Sequence, residues 1–204
     1  WSDPNAHSGW VPPGNSLSFV TARTQGWNHD LRRIAAKSLG KLKAAEASNA
    51  LMQAIGRDKD AFVAQYAAEA LGAIGDQKVI SFLISCLSVD KYTPNLQNGA
   101  IAALVMLDAR EAVGPLIDLL KHRESNIQSY AIRGLGSLGD EKALALLVER
   151  QSSTDAVVRS AATEALGKLR ARLEKQQKHA SRRASDPVAG GTQKRRWWQF
   201  WKAS

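Results

Sequence analysis

The side chains best suited to chemistry are thinly spread along this 204-residue chain. Its four histidines are His7, His29, His122 and His179. They fall in an N-terminal arm, two turn regions and a linker, so their spacing builds no ligand cluster. The single cysteine, Cys86, sits in the apolar run VISFLISCL and reads as a small core residue. There is no GxxxxGK[ST] or GxGxxG phosphate loop, and no Ser/His/acid trio falls at helical spacing. These residues point away from catalysis, from metal and from any cofactor.

The densest chemistry lies at the C-terminus, in KRRWWQFWKAS. Lys194, Arg195, Arg196 and Lys202 bracket Trp197, Trp198, Phe200 and Trp201. Aromatic rings favour the membrane–water interface, and each nearby cation contributes about 1 kcal/mol at an anionic surface. The stretch is too short to span a bilayer but suits a reversible surface anchor. Three rivals use the same residues: stacking on single-stranded nucleic acid, insertion into a partner protein, and an inert end. Membrane-surface binding is the expectation, and nucleic acid is disfavoured. The formal charge supports this division. Residues 1–166 carry 17 basic and 17 acidic side chains, while residues 167–204 carry 11 basic and 2 acidic, so the whole net charge of +9 lies in the C-terminal part.

The elements that must position these groups are repeats. The series SLGKL, ALGAI, ALVML, GLGSL and ALGKL centres on Leu39, Leu71, Leu104, Leu135 and Leu166, at spacings of 32, 33, 31 and 31 residues. Four residues before each leucine stands an alanine: Ala35, Ala67, Ala100, Ala131, Ala162. Eight before it stands Leu31, Val63, Leu96, Ile127 or Val158, and three after it Leu42, Ile74, Leu107, Leu138 or Leu169. Those offsets share one face of an α-helix. A second apolar-periodic segment lies between successive copies (SNALMQAI, KVISFLISCL, AVGPLIDLL, KALALLVER). Asp30, Asp60, Asn126 and Asp155 are candidate helix caps, and Gly75-Asp76 and Gly139-Asp140 read as helix stops. The third copy departs, with Val105-Met106 after its leucine and an enlarged preceding turn, SVDKYTPN, at 88–95.

A single helix pair cannot bury its apolar face, so the pairs must stack. The pattern, strongest in DAFVAQYAAEALGAIGD (60–76) and DAVVRSAATEALGKL (155–169), resembles the HEAT-repeat family, in particular its short phycobilisome-lyase type. The resemblance runs from about Leu17 to Arg172. It implies an all-α, right-handed solenoid of about five antiparallel pairs. Some HEAT-like proteins hold di-iron through His-Glu pairs, as deoxyhypusine hydroxylases do; no histidine here is followed by Glu, so that activity is excluded.

The second helix of each pair in such arrays usually lines the concave side. Its outward positions are Arg32, Arg33 and Lys37, then Gln65 and Glu69, then Gln97 and Asn98. Gln128, Ser129 and Arg133 follow, then Arg159, Ser160 and Glu164. The expected surface is amide-rich with a basic patch at its N-terminal end, suited to a polar protein partner.

The chain thus reads as a flexible arm (1–15), a solenoid (16–180), a flexible linker (181–193) and the basic aromatic tail (194–204). Within the arm's continuation, Leu17–Thr24 reads as a partner helix for the first repeat, with Phe19 and Trp27 closing that end. Arg182-Arg183-Ala184-Ser185 matches a basophilic kinase site. The chain opens at Trp1 rather than Met, without a signal-peptide pattern, so an upstream segment is expected. No apolar run approaches the roughly 18 residues of a membrane span. The expected function is a non-catalytic interaction scaffold, cytoplasmic and peripheral on the inner membrane face, binding a protein partner without a cofactor. The alternative, which the family resemblance brings, is bilin attachment or chromophore handling.

Overall fold

The computed structural model describes residues 29–88 and 92–185. Nine α-helices occur there: α1 (His29–Lys41), α2 (Ser48–Arg57), α3 (Ala61–Ile74), α4 (Ile80–Ser85), α5 (Pro94–Met106), α6 (Val113–Leu119), α7 (Ser125–Leu138), α8 (Glu141–Arg150) and α9 (Ala156–Ser185). The five repeat leucines sit on the odd-numbered helices, which pack in order as one row. Each even-numbered helix packs against the odd one that follows it. The described residues therefore form an all-α solenoid of four complete pairs led by α1.

Helix starts obey a rule that the residue types only partly disclose. The cap stands eleven positions before Leu71, Leu104, Leu135 and Leu166. Asp60 accepts from the amides of Phe62 and Val63, Thr93 from that of Leu96, and Asp155 from those of Val157 and Val158. Glu124 occupies the same position before α7 without a side-chain cap. Asp30 and Asn126, two of the expected caps, are instead the second residues of α1 and α7. At the helix ends, the residue four past each leucine takes the left-handed conformation at Lys43 (φ 50°), Gly75 (φ 86°) and Asp108 (φ 48°). Gly139 stays extended instead.

The apolar face closes the core as its spacing predicts. Leu71, Leu104, Leu135 and Leu166 are buried, as are Val63, Leu96, Ile127 and Val158 on the turn before. Burying each such side chain contributes about 1.5–3 kcal/mol. Helix α1 is less covered than the helices that follow it. Leu31 and Ile34 remain 56% and 59% exposed there.

Close approach depends on glycine more than on the central alanine. The glycine after the repeat leucine faces the alanine before the next one. A Cβ at Gly40 would stand 2.8 Å from Ala70 Cα, at Gly72 2.5 Å from Ala103 Cα, and at Gly136 2.8 Å from Ala165 Cα. At the α5–α7 junction the pair is reversed: Val105 replaces the glycine and Gly134 the alanine. A Cβ on Gly134 would meet the side chains of Ile101 and Leu116 rather than backbone. Helices α5 and α7 are accordingly in looser contact than α3 with α5 or α7 with α9.

Helix α9 continues through Ser185, so residues 181–185, read from the sequence as the start of a linker, are helical. No breaker interrupts the series before Pro187, and the residue preceding a proline disfavours helix.

Candidate functional site

The row of expected partner-facing residues is engaged far more than its exposure pattern implied. Arg32 grips Asp58 through two bonds, Nε to Oδ2 at 2.6 Å and a terminal nitrogen to Oδ1 at 3.1 Å. Arg33 grips Asp60 in the same forked manner, at 2.6 and 3.1 Å, reaches Asp30 at 3.2 Å, and lies 4.8 Å over the Phe62 ring. Charge-assisted forks of this kind are strong. The Arg33 guanidinium, helped by the Val63 and Phe62 amides, holds the Asp60 carboxyl down to about 2. Lys37 sits 4.7 Å over Tyr66. The expected basic patch is therefore largely neutralised, because its counter-charges come from the turn that opens the next repeat.

Further along, Gln97 corrects the expectation of an outward amide. It is fully buried, and its Nε2 donates to the carbonyls of Leu87 and Ser88 at 3.2 and 3.3 Å, holding the end of α4 against α5. Ser129 is likewise buried, donating to Asn126 O. Gln65 donates to Glu69 at 2.9 Å. Gln128 donates to His122 O at 2.5 Å. Arg159 donates to Ser153 O and Thr154 O, and Glu164 accepts from Lys168 at 2.6 Å. Asn98 is half-buried, while Arg133 and Ser160 are exposed. Much of this row serves the solenoid's own seams.

A second set of residues comes together that the periodicity alone did not mark. The chain between α4 and α5 is enlarged, and beside it lies a cleft of about 520 Å³. Tyr92 and Pro94 form one wall; Asp118, Lys121, His122 and Arg123, from the end of α6 and its following turn, form the other. Ile127, buried, and Glu124 complete the lining. Lys121 stands 3.5 Å from Asp118. His122 Nδ1 accepts from the Glu124 amide at 3.0 Å, which places the proton of the neutral ring on Nε2. Arg123 makes no ion pair among the described residues. The turn is held by the Gln128 bond to His122 O, so a residue expected to face a partner instead fixes this wall. The legible signals were the long turn and Pro94; the pairing of Tyr92 with residues thirty positions later is a product of stacking.

The other histidines do not join this cleft. His29 stands at the start of α1 near Asp30, and His179 is exposed on α9. Among the described residues no group of three or more His, Cys, Asp or Glu side chains is placed to hold a metal, and no helix is long and apolar enough to cross a membrane. His7, Leu17–Thr24, Phe19, Trp27 and the tail residues Lys194, Arg195, Arg196, Trp197, Trp198, Phe200, Trp201 and Lys202 lie outside the described residues.

A solenoid of helix pairs in this register has known counterparts. The HEAT-repeat family model matches residues 17–94 and 89–167, and the chain belongs to that family. Among curated proteins it is similar to the bilin biosynthesis protein PecE of Nostoc sp. (strain PCC 7120), 29% identical over 138 residues, covering 67% of this chain and 53% of that protein. The bilin biosynthesis protein PecE of Mastigocladus laminosus is 30% identical over 113 residues, covering 55% of this chain and 41% of that protein. The chain thus spans about half the length of the curated relatives it matches. The fold is similar to a chain in the complex of CpcE and CpcF of phycocyanin lyase from Nostoc sp. PCC7120, with a TM-score of 0.59, 24% identity, and 83% and 69% of the two chains covered. These relatives overturn the expectation of a non-enzymatic scaffold: proteins that share this repeat body are bilin biosynthesis proteins. The absence of an acid–base trio misled that reading, since it looked for catalysis by proton transfer.

Proposed function

We propose that this chain is a bilin-handling protein of the lyase type, one part of a larger assembly that brings a linear tetrapyrrole to its acceptor protein. The similarity to bilin biosynthesis proteins over 138 residues of the repeat body carries this reading. The outward members of the helix row that remain accessible, Arg133, Ser160 and Glu164 among them, are proposed to meet a second protein chain. Titration of the chain with biliverdin, followed by visible absorption, tests the reading. A saturable change in the bilin spectrum is expected; an unchanged spectrum at high protein concentration rejects it.

A second reading concerns the tail, and the segregation of the whole +9 charge into residues 167–204 favours it. Residues 194–202 are proposed to attach the chain reversibly to anionic membrane surfaces. Electrostatic attraction is screened by salt, whereas aromatic insertion is much less so. Sedimentation with anionic vesicles is expected at low salt, weaker at high salt, and absent once the three tail tryptophans are alanine. Protein that stays in the supernatant with anionic vesicles at low salt refutes the anchor.

A further inference from the structure

The cleft between Tyr92 and the α6–α7 turn has a chemistry that matches one kind of ligand. Its volume, about 520 Å³, lies in the range of small-molecule sites. Its two walls differ in kind. Tyr92 and Pro94, with buried Ile127 beneath, offer a flat, largely apolar surface. The same cleft is lined by Lys121 and Arg123, two cations in a three-residue turn, and by His122, whose Nδ1 is taken by the Glu124 amide. Asp118 and Glu124 supply carboxylates at the same rim. A flat conjugated molecule that carries carboxylates on flexible arms and N–H donors along its spine satisfies all three. Its rings lie on the apolar wall, its carboxylates meet the cations, and its N–H groups meet the acidic side chains.

Resting on the bilin-handling reading above, we infer that this cleft is where the chain holds a linear tetrapyrrole, with Lys121 and Arg123 binding its propionates. The location follows from the fold. The cleft opens at the N-terminal ends of α5 and α7, two helices in looser contact than α3 with α5 or α7 with α9. Neither cation is committed to the solenoid's own seams. Lys121 meets only exposed Asp118 at 3.5 Å, and Arg123 makes no ion pair among the described residues. By contrast Arg32 and Arg33, the cations most evident from the sequence, are forked onto aspartates.

The test compares biliverdin with biliverdin dimethyl ester, which keeps the rings and N–H groups but lacks the carboxylate charges. Both are titrated into the 204-residue chain, into Lys121→Ala/Arg123→Ala, and into Lys175→Ala, an exposed α9 cation, as a control for a lost surface cation. Removing two carboxylate partners is expected to raise the Kd for biliverdin at least tenfold. The ester is expected to bind the unaltered chain as weakly as biliverdin binds the double variant, and the double variant should not distinguish the two ligands. Lys175→Ala should bind like the unaltered chain. If the unaltered chain binds biliverdin and the double variant binds it equally well, the cleft assignment is wrong while the bilin-handling reading stands. Equal binding of biliverdin and its ester by the unaltered chain also overturns the assignment. If the unaltered chain binds neither ligand, the underlying reading fails and the cleft assignment with it.

Discussion

The α3–α5 and α5–α7 junctions are built from the same repeat and behave differently. At the first, Gly72 lets Ala103 Cα approach so closely that a Cβ would stand 2.5 Å from it. At the second, Val105 occupies the glycine position and the small residue moves across to Gly134, where a Cβ would meet side chains. Backbone against backbone leaves no play, whereas a branched side chain against a glycine gap sets the helices apart. The lesson concerns where a regular solenoid makes room. The cleft at Tyr92, Lys121 and Arg123 lies at the N-terminal ends of the same two loosely packed helices, two to three turns from Val105 and Gly134.

Substitutions at one register position separate the two kinds of junction most sharply. Gly72→Ala must push α3 and α5 apart and is expected to destabilise the fold by about 2–3 kcal/mol, the upper part of the overpacking range. Gly136→Ala, 2.8 Å from Ala165 Cα, should cost nearly as much. Gly167 has the same place in its repeat but nothing within 4 Å, so Gly167→Ala should stabilise by about 0.5–1 kcal/mol through helix propensity. Urea unfolding of the three variants checks this. Equal effects at Gly72 and Gly167 would show that the junction does not depend on the close approach.

The next largest effect is expected from the Asp60 clamp, which joins α1 to α3 and is absent at the α5–α7 junction. The Asp60 carboxyl is held at about 2 in the folded chain against an ordinary 3.8. A group whose folded pKa is depressed contributes stability above its unfolded value and loses it as pH falls toward the folded one. With side-chain exposure of 18%, the contribution is expected at about 1–2 kcal/mol near neutral pH. It should fade between about pH 5 and pH 2. Asp60→Asn should unfold at lower urea at pH 7 and converge with the unaltered chain near pH 2. Parallel profiles across that range would remove the clamp from the account.

The smallest effect separates the helix ends. Lys43 holds the left-handed conformation that Gly75 holds one repeat later. Lys43→Gly removes the Cβ strain while adding unfolded-state freedom. A net gain of about 0.5–1 kcal/mol is expected, seen as a small rise in Tm. A fall in Tm would mean that the side chain of Lys43 contributes more to that helix end than its backbone costs.

Much of this was legible in the residue order. The five leucines, the alanines four residues before them and the aliphatics eight before them fixed the helix faces, because a 3.6-residue period leaves few other readings. Caps at Asp60 and Asp155 were legible for the same local reason. The register of neighbouring repeats was not. Arg32 and Arg33 read as free cations because Asp58 and Asp60 lie more than twenty residues away in sequence. Gln97 read as outward because its burial depends on the path of the chain after α4, which no helical period describes. The cleft was legible only as a long turn; of its charged wall, Asp118 was legible as part of the apolar-periodic AVGPLIDLL and His122 as a turn residue.

By itself the sequence determined the all-α repeat, the helix that carries each leucine, the neutral body and the concentration of positive charge after residue 166. Those are properties of short-range periodicity and of composition, which need no partner to be expressed. The tertiary structure decided which cations are consumed, which junction is loose and that Tyr92 and Arg123 line one cleft. Those depend on how far apart stacked helices stand, and that distance is set by contacts between residues about thirty positions apart, such as Gly72 with Ala103.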